Sequence, residues 1–207
     1  MAQDSGVRFV AQDSGVRFVA QDFSPAIAIH NFWPASCSRE FMHLRRPGRI
    51  PGFSYRGRWR YSVTACTADH RARLDDPAWF AVLIVQIRQL AGEAQFAVLA
   101  YCAMPDHLHL LVEGLSEDSQ LPNFVSRLKQ RTGFLYRRMT GRSLWQSRYY
   151  DRVLRHEEMS ATVCRYILEN PVRAGLTSAM GDYPYAGSDV FTVEQIMEAA
   201  MADRSQD

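Results

Sequence analysis

The sequence predicts an α+β domain built on an antiparallel sheet in a split β-α-β-β-α-β arrangement, with helices on one face and one further helix after the last strand. Three observations predict it. Segments of strand and helix periodicity follow one another in that order between residues 59 and 155. The two middle strands are separated only by Met104-Pro105-Asp106, too short for a crossover, so they form a hairpin. The length of 207 residues, 47% of them apolar, allows one domain with appendages.

Trp59–Thr67 reads as the first strand, with Tyr61, Val63 and Ala65 alternating. Asp76-Pro77 opens a helix as cap and first residue; Phe80, Leu83, Ile84, Ile87 and Leu90 follow at helical spacing, and Gly92 ends it. Phe96–Cys102 is the second strand. The third contains His107-Leu108-His109-Leu110-Leu111-Val112-Glu113, with Pro105 confined to the turn because it cannot donate to a ladder. A second helix spans 118–139, its apolar stripe formed by Leu121, Phe124, Val125, Leu128, Leu135 and Met139, and Gly141 stops it. Tyr149–Arg155 is a short fourth strand, and Met159–Asn170 a third helix closed by Asn170-Pro171. This order is that of ferredoxin-like domains, which host many functions and identify none.

The first forty residues differ from the rest. AQDSGVRFV at 2–10 is repeated unchanged at 11–19, and a third copy begins at Ala20. Two copies and a fragment cannot stack into a solenoid. Residues 1–41 are therefore expected to be an extension outside the fold, disordered or ahead of a true start at Met42, with the domain at 42–190 and a tail at 191–207. No apolar run approaches the about 18 residues of a membrane span. No basic-then-apolar leader precedes the domain. The expectation is a cytoplasmic, nucleoid-associated protein. The four cysteines have no metal spacing; Cys102 and Cys164 lie in apolar-patterned segments and read as core.

The net charge of +2 is unevenly spread. Residues 39–60 hold seven arginines and one acid, and 127–155 hold nine basic residues and one acid. Such blocks in a nearly neutral chain suit a polyanion, although a solvated helix face is the plainer alternative.

On a strand, His107 and His109 share one face with Leu111, while Leu108, Leu110 and Val112 take the other. Two parallel imidazoles are half of a metal site; alone, they equally fit two half-exposed histidines on a sheet surface. The third helix adds Tyr166 and Asn170, four apart and on one helix face. The histidines and the Asn170 amide oxygen would supply three ligands to a divalent ion that polarises a phosphate, and the Tyr166 hydroxyl would attack phosphorus to leave a covalent ester. A phenol ionises near about 10 and needs a metal or an arginine to assist it. A mixed imidazole and amide set suits Mg²⁺ or Mn²⁺ better than a closed thiolate site suits zinc. A core tyrosine and a helix-end asparagine before proline are the plainer readings of Tyr166 and Asn170.

With these residues in place, the chain resembles the single-tyrosine HUH transposases, IS200-like, and within them the REP-associated tyrosine transposases of bacteria. The resemblance covers about residues 45–190. It is carried by Met104-Pro105-Asp106-His107-Leu108-His109, by Leu144-Trp145-Gln146 followed by Tyr149-Tyr150-Asp151, and by Tyr166-Ile167-Leu168-Glu169-Asn170-Pro171-Val172-Arg173-Ala174-Gly175-Leu176. It implies metal binding by His107, His109 and Asn170, with Tyr166 as nucleophile. It also implies cleavage of single-stranded DNA beside hairpins of REP-like palindromes, through a 5′-phosphotyrosine intermediate and a free 3′-OH. The N-terminal extension has no counterpart in the family.

Arg137, Arg138, Arg148 and Arg173 are the candidate backbone-phosphate contacts, and Trp145, Gln146, Tyr149 and Tyr150 the candidates for holding or stacking on bases. Tyr149 and Tyr150 also fit packing at a sheet edge. Two further readings remain open: a domesticated protein that holds hairpin DNA without cutting it, and an RNA-processing protein of similar fold. The complete set of His107, His109, Tyr166 and Asn170 favours the enzyme, as a monomer or homodimer. A 2′-OH cleavage would need neither the tyrosine nor its amide.

Overall fold

The strand that carries the two histidines is the middle strand of a five-stranded antiparallel sheet. The computed structural model describes residues 50–154 and 158–204; the repeat-bearing extension expected at 1–41 lies outside the described residues. In chain order, β1 (Arg60–Cys66) leads through α1 (Pro77–Glu93) to β2 (Phe96–Met104). A tight turn gives β3 (His107–Gly114), α2 (Leu121–Thr140) leads to β4 (Tyr150–Leu154), and α3 (Glu158–Arg173), a two-residue β5 (Ala186–Gly187) and α4 (Val193–Arg204) follow. The sheet order is β4-β1-β3-β2-β5. Each β-α-β unit thus straddles a strand of the other, as the element order predicts.

Local chemistry sets most boundaries. Asp76 caps α1 by accepting from the Trp79 N–H at 2.7 Å, with Pro77 at the first helical position. Gly92 does not end the helix as expected. The turn continues to Glu93, the Ala94 N–H still reaches the Leu90 carbonyl, and Gln95 takes the left-handed conformation at φ 56°. α2 begins at Leu121 rather than at 118, because Asp118 is engaged with Arg56 instead. Gly141, at φ 73°, ends α2 as predicted.

The sheet buries both faces. Tyr61, Val63, Val98, Ala103, Leu108, Leu110 and Val112 meet Trp79, Leu83 and Ile87 of α1 and Phe124, Val125 and Leu128 of α2. On the other face, Leu99, Ala100, Cys102, Met104 and Leu111 meet Cys164, Ile167 and Leu168 of α3 and Ile196 of α4. A bulge between Val98 and Ala100 inserts Leu99 and resets the alternation of β2. Cys102 and Met104 thereby stand opposite His109 and His107 on the α3 face. Each large aliphatic side chain so enclosed contributes about 1.5–3 kcal/mol by burial. The region from 191 onward, in which the sequence shows no element, carries α4. Thr192 and Gln195 form a reciprocal capping box at its start, and Ile196 docks it in the second core.

Candidate active site

The histidines are not the half-exposed pair that a bare sheet would present: His107 and His109 are each 2% exposed, enclosed between β1, β2 and the α3 side. Their rings lie edge to face, and the two Nε2 atoms converge to 3.0 Å. Each outer nitrogen has its own partner. His107 Nδ1 meets Asp106 Oδ1 at 2.6 Å, and His109 Nδ1 meets Thr64 Oγ1 at 2.9 Å. Both partners follow from the strand register. Thr64 stands directly opposite His109 on β1, and cross-strand partners share a face. Asp106 occupies the hairpin turn. That turn is pinned from outside: the Thr67 N–H donates to the Asp106 carbonyl at 2.9 Å, and the Arg73 and Leu74 N–H groups to the Pro105 carbonyl.

Proton positions follow from these partners. An ionised carboxylate only accepts, so a proton on His107 Nδ1 donates to Asp106, and Nε2 is the nitrogen turned toward His109. Burial works to raise the Asp106 carboxyl, but the His107 hydrogen bond and charge outweigh it and hold it below the usual carboxylate range. Burial, with the charges of His107 and Arg173, pushes His109 well below the ordinary imidazole value, so it stays neutral. The chain of donors runs from the Thr64 hydroxyl to His109 to His107 to Asp106. Turning the Thr64 hydroxyl to accept from Nδ1–H frees both Nε2 lone pairs for one ion. At 3.0 Å apart, the two Nε2 atoms would both face one ion.

A third donor has to come from elsewhere, since no cluster of three His, Cys, Asp or Glu side chains exists among the described residues. Asn170 fits that role chemically. It is fully buried; its Nδ2 donates to the Ile167 carbonyl at 3.3 Å, and its Oδ1 is a buried acceptor without a hydrogen-bond partner. An orphaned amide oxygen is costly unless something completes it. Two bare imidazole nitrogens and this oxygen are a donor set that Mg²⁺ or Mn²⁺ accepts.

One helical turn before Asn170 stands Tyr166, half-buried on α3. The Arg173 guanidinium lies 3.8 Å from the centroid of its ring and donates to the Tyr166 carbonyl at 2.9 Å. Burial raises the phenol above its ordinary value, and the Arg173 charge works against that rise. The same charge also lowers His109. α3 does not close at Asn170-Pro171 as the sequence suggests; it runs through Pro171 to Arg173, and the Ala174 N–H still reaches the Asn170 carbonyl.

The profile of the family described as Transposase IS200 like matches residues 57–170, more than half of the chain. The chain belongs to that family. It is 27% identical over 110 residues to a Haemophilus influenzae protein named as a REP-associated tyrosine transposase, an alignment spanning 48% of this chain and 62% of the relative. The chain thus matches about three fifths of that relative's length. A solved REP-associated tyrosine transposase bound to a REP hairpin superposes with a TM-score of 0.56 at 17% identity, over 67% of this chain and 81% of the other. That likeness is one of fold.

Within this IS200-like domain the expected nucleic-acid residues divide between the two faces of the sheet. Tyr150 pairs with Thr64 across β1 and β4, so it shares the histidine face. Tyr149 packs against the opposite core, 5.7 Å from the Lys129 ammonium. Lys129 binds the Ser147 and Arg148 carbonyls, and burial lowers its pKa to about 8. Trp145 also packs against that core and donates through Nε1 to Thr132 Oγ1 at 2.8 Å, which pins the indole to α2. Gln146 is half-buried and meets His70 Nε2 at 2.8 Å. Arg137 and Arg138 are exposed on α2, which packs on the face away from the histidines; Arg137 donates to Ser143, and Arg138 sits over Phe134. Arg148 is exposed in the loop that leads into β4. No described helix is long and apolar enough to cross a membrane.

Thr64 and Asp106 are the site residues that sequence reasoning missed. Asp106 carries a signal, an acid directly before the first histidine. Thr64 carries none, because only the register brings it to His109.

Proposed function

We propose that this chain nicks and rejoins single-stranded DNA beside hairpins of REP-like palindromes, through a covalent 5′-phosphotyrosine intermediate. The observation that carries the reading is the convergence of the Nε2 atoms of His107 and His109, with an orphaned amide oxygen on the helix that bears Tyr166. His107, His109 and Asn170 would hold Mg²⁺ or Mn²⁺, which supplies Lewis-acid polarisation of a scissile phosphate.

The chain's own residues account for the rest. Tyr166 attacks phosphorus through its phenol oxygen and loses its proton; a Tyr166 O–P bond forms, the P–O3′ bond breaks, and the 3′ oxygen leaves as a hydroxyl. Arg173, stacked on the ring, offsets the charge that develops there. The reverse attack by a 3′-OH rejoins the strand and frees the tyrosine. Tyr150, on the histidine face, and Gln146 would hold bases, and Arg148 and Arg173 would hold phosphates. Arg137 and Arg138, on the far helix, would reach only a substrate that wraps around the sheet edge, as the arms of a hairpin can. Trp145 and Tyr149 act on DNA only through the loop that they anchor. Such chemistry belongs in the cytoplasm, at the nucleoid.

The test is incubation with labelled single-stranded hairpins from the genomic surroundings of the coding sequence. Cleavage with Mn²⁺ and none in chelator is expected; hairpin binding without cleavage under any condition would instead identify a domesticated binding protein.

A further inference from the structure

We infer that Pro171 is a positioning residue: by removing one backbone N–H, it fixes which end of the Asn170 amide is offered to the metal. This deepens the functional proposal and rests on its reading of Asn170 as a ligand. In a regular α-helix, the N–H of residue 171 would bond to the carbonyl of residue 167. Proline has no N–H, so its presence inside α3 leaves the Ile167 carbonyl without that partner. The Asn170 Nδ2 takes the vacated place, at 3.3 Å from the Ile167 oxygen.

The consequence lies in the asymmetry of the amide. Its oxygen and nitrogen ends are nearly the same shape, but only the oxygen can ligate a hard cation. A carbonyl oxygen attracts the Nδ2 end and repels the Oδ1 end. With Nδ2 held on Ile167, Oδ1 is necessarily the end left over, and it is the buried acceptor that has no hydrogen-bond partner. The helix survives the proline because the next rungs remain: the Ala174 N–H bonds to the Asn170 carbonyl at 2.9 Å and the Leu176 N–H to the Pro171 carbonyl at 2.8 Å. Gly175, at φ 69°, then ends the turn. A helix-interior proline ordinarily destabilises, so its presence next to the proposed ligand calls for a compensating role.

The experiment measures Mn²⁺ binding by the full chain, using electron paramagnetic resonance of free Mn²⁺, alongside a thermal melt. The variants are Pro171→Ala, Pro171→Leu, Asn170→Ala and the double variant P171A/N170A. Both Pro171 variants regain the N–H, so each should melt at the same or a higher temperature while binding Mn²⁺ about tenfold more weakly, the loss typical of a residue that orients a ligand. Asn170→Ala should weaken binding at least as much, and the double variant should bind no worse than Asn170→Ala alone. Undiminished binding by both Pro171 variants, beside a clear loss in Asn170→Ala, would overturn the inference and leave the ligand reading intact. Undiminished binding by Asn170→Ala would overturn the ligand reading itself. A purely structural role for Pro171 would move the melting temperature and leave the affinity alone.

Discussion

Replacing Thr64 by valine should separate the folding of this domain from the proposed metal binding. Valine keeps the volume and the branched Cβ, so β1 retains its strand preference and its pairing with β3. What is lost is one oxygen, 2.9 Å from His109 Nδ1, between two groups that are 6% and 2% exposed. Leaving a buried ring nitrogen without its partner costs about 1–3 kcal/mol of stability. The loss also removes the acceptor that the Nδ1–H form of His109 needs, and that is the form whose Nε2 can bind an ion. Orienting partners of this kind are worth about 10–100-fold in metal affinity. Mn²⁺ titrations of folded Thr64→Val, checked by circular dichroism, should show a loss in that range, while Thr64→Ser, which keeps the hydroxyl, should bind within a fewfold of the parent. Equal affinity in Thr64→Val and the parent would refute the role of the hydroxyl as acceptor for the Nδ1–H form of His109.

Two more outcomes follow from the same geometry. His109 is held below the ordinary imidazole value, so folding favours its neutral form; its contribution to stability is present above about pH 6.5 and is lost as the pH falls below that. Urea titrations at descending pH should therefore show a fall of up to about 1.4 kcal/mol per pH unit from this group, and His109→Gln should flatten it. Hairpin binding should weaken steeply with salt because of the arginine-rich stretches. The slope should be shallower than the count of basic residues suggests: Arg127 and Arg131 are paired with Glu93, and Arg56 and Arg58 with Asp118 and Glu117. A salt-independent affinity would exclude a phosphate-reading surface.

Much of this was legible in the sequence because it depends on periodicity. The alternation in 107–113 puts the two histidines on one face, and the 3.6-residue repeat puts Tyr166 and Asn170 on another. What was not legible depends on register and on long-range cover. The pairing of Thr64 with His109 and of Tyr150 with Thr64 is fixed by how β1 slides against β3 and β4. The bulge at Leu99 shifts β2 by one residue without a glycine to announce it. Pro171 reads as a helix end by local rule, yet α3 is held on the sheet by Cys164, Ile167 and Leu168, and that packing carries the helix through the proline. α4 was missed because its seat, Ile196 against the second core, exists only once α3 is in place.

With Tyr166 as the nucleophile, labelled single-stranded hairpin and Mn²⁺ should yield a denaturation-resistant protein–DNA adduct. Tyr166→Phe removes one oxygen and leaves the ring under Arg173, so the fold and hairpin binding should persist while the adduct disappears. Tyr150→Phe, on the same face of the sheet, should still form it. An adduct that survives in Tyr166→Phe and vanishes in Tyr150→Phe would contradict the account and move the chemistry from α3 to β4.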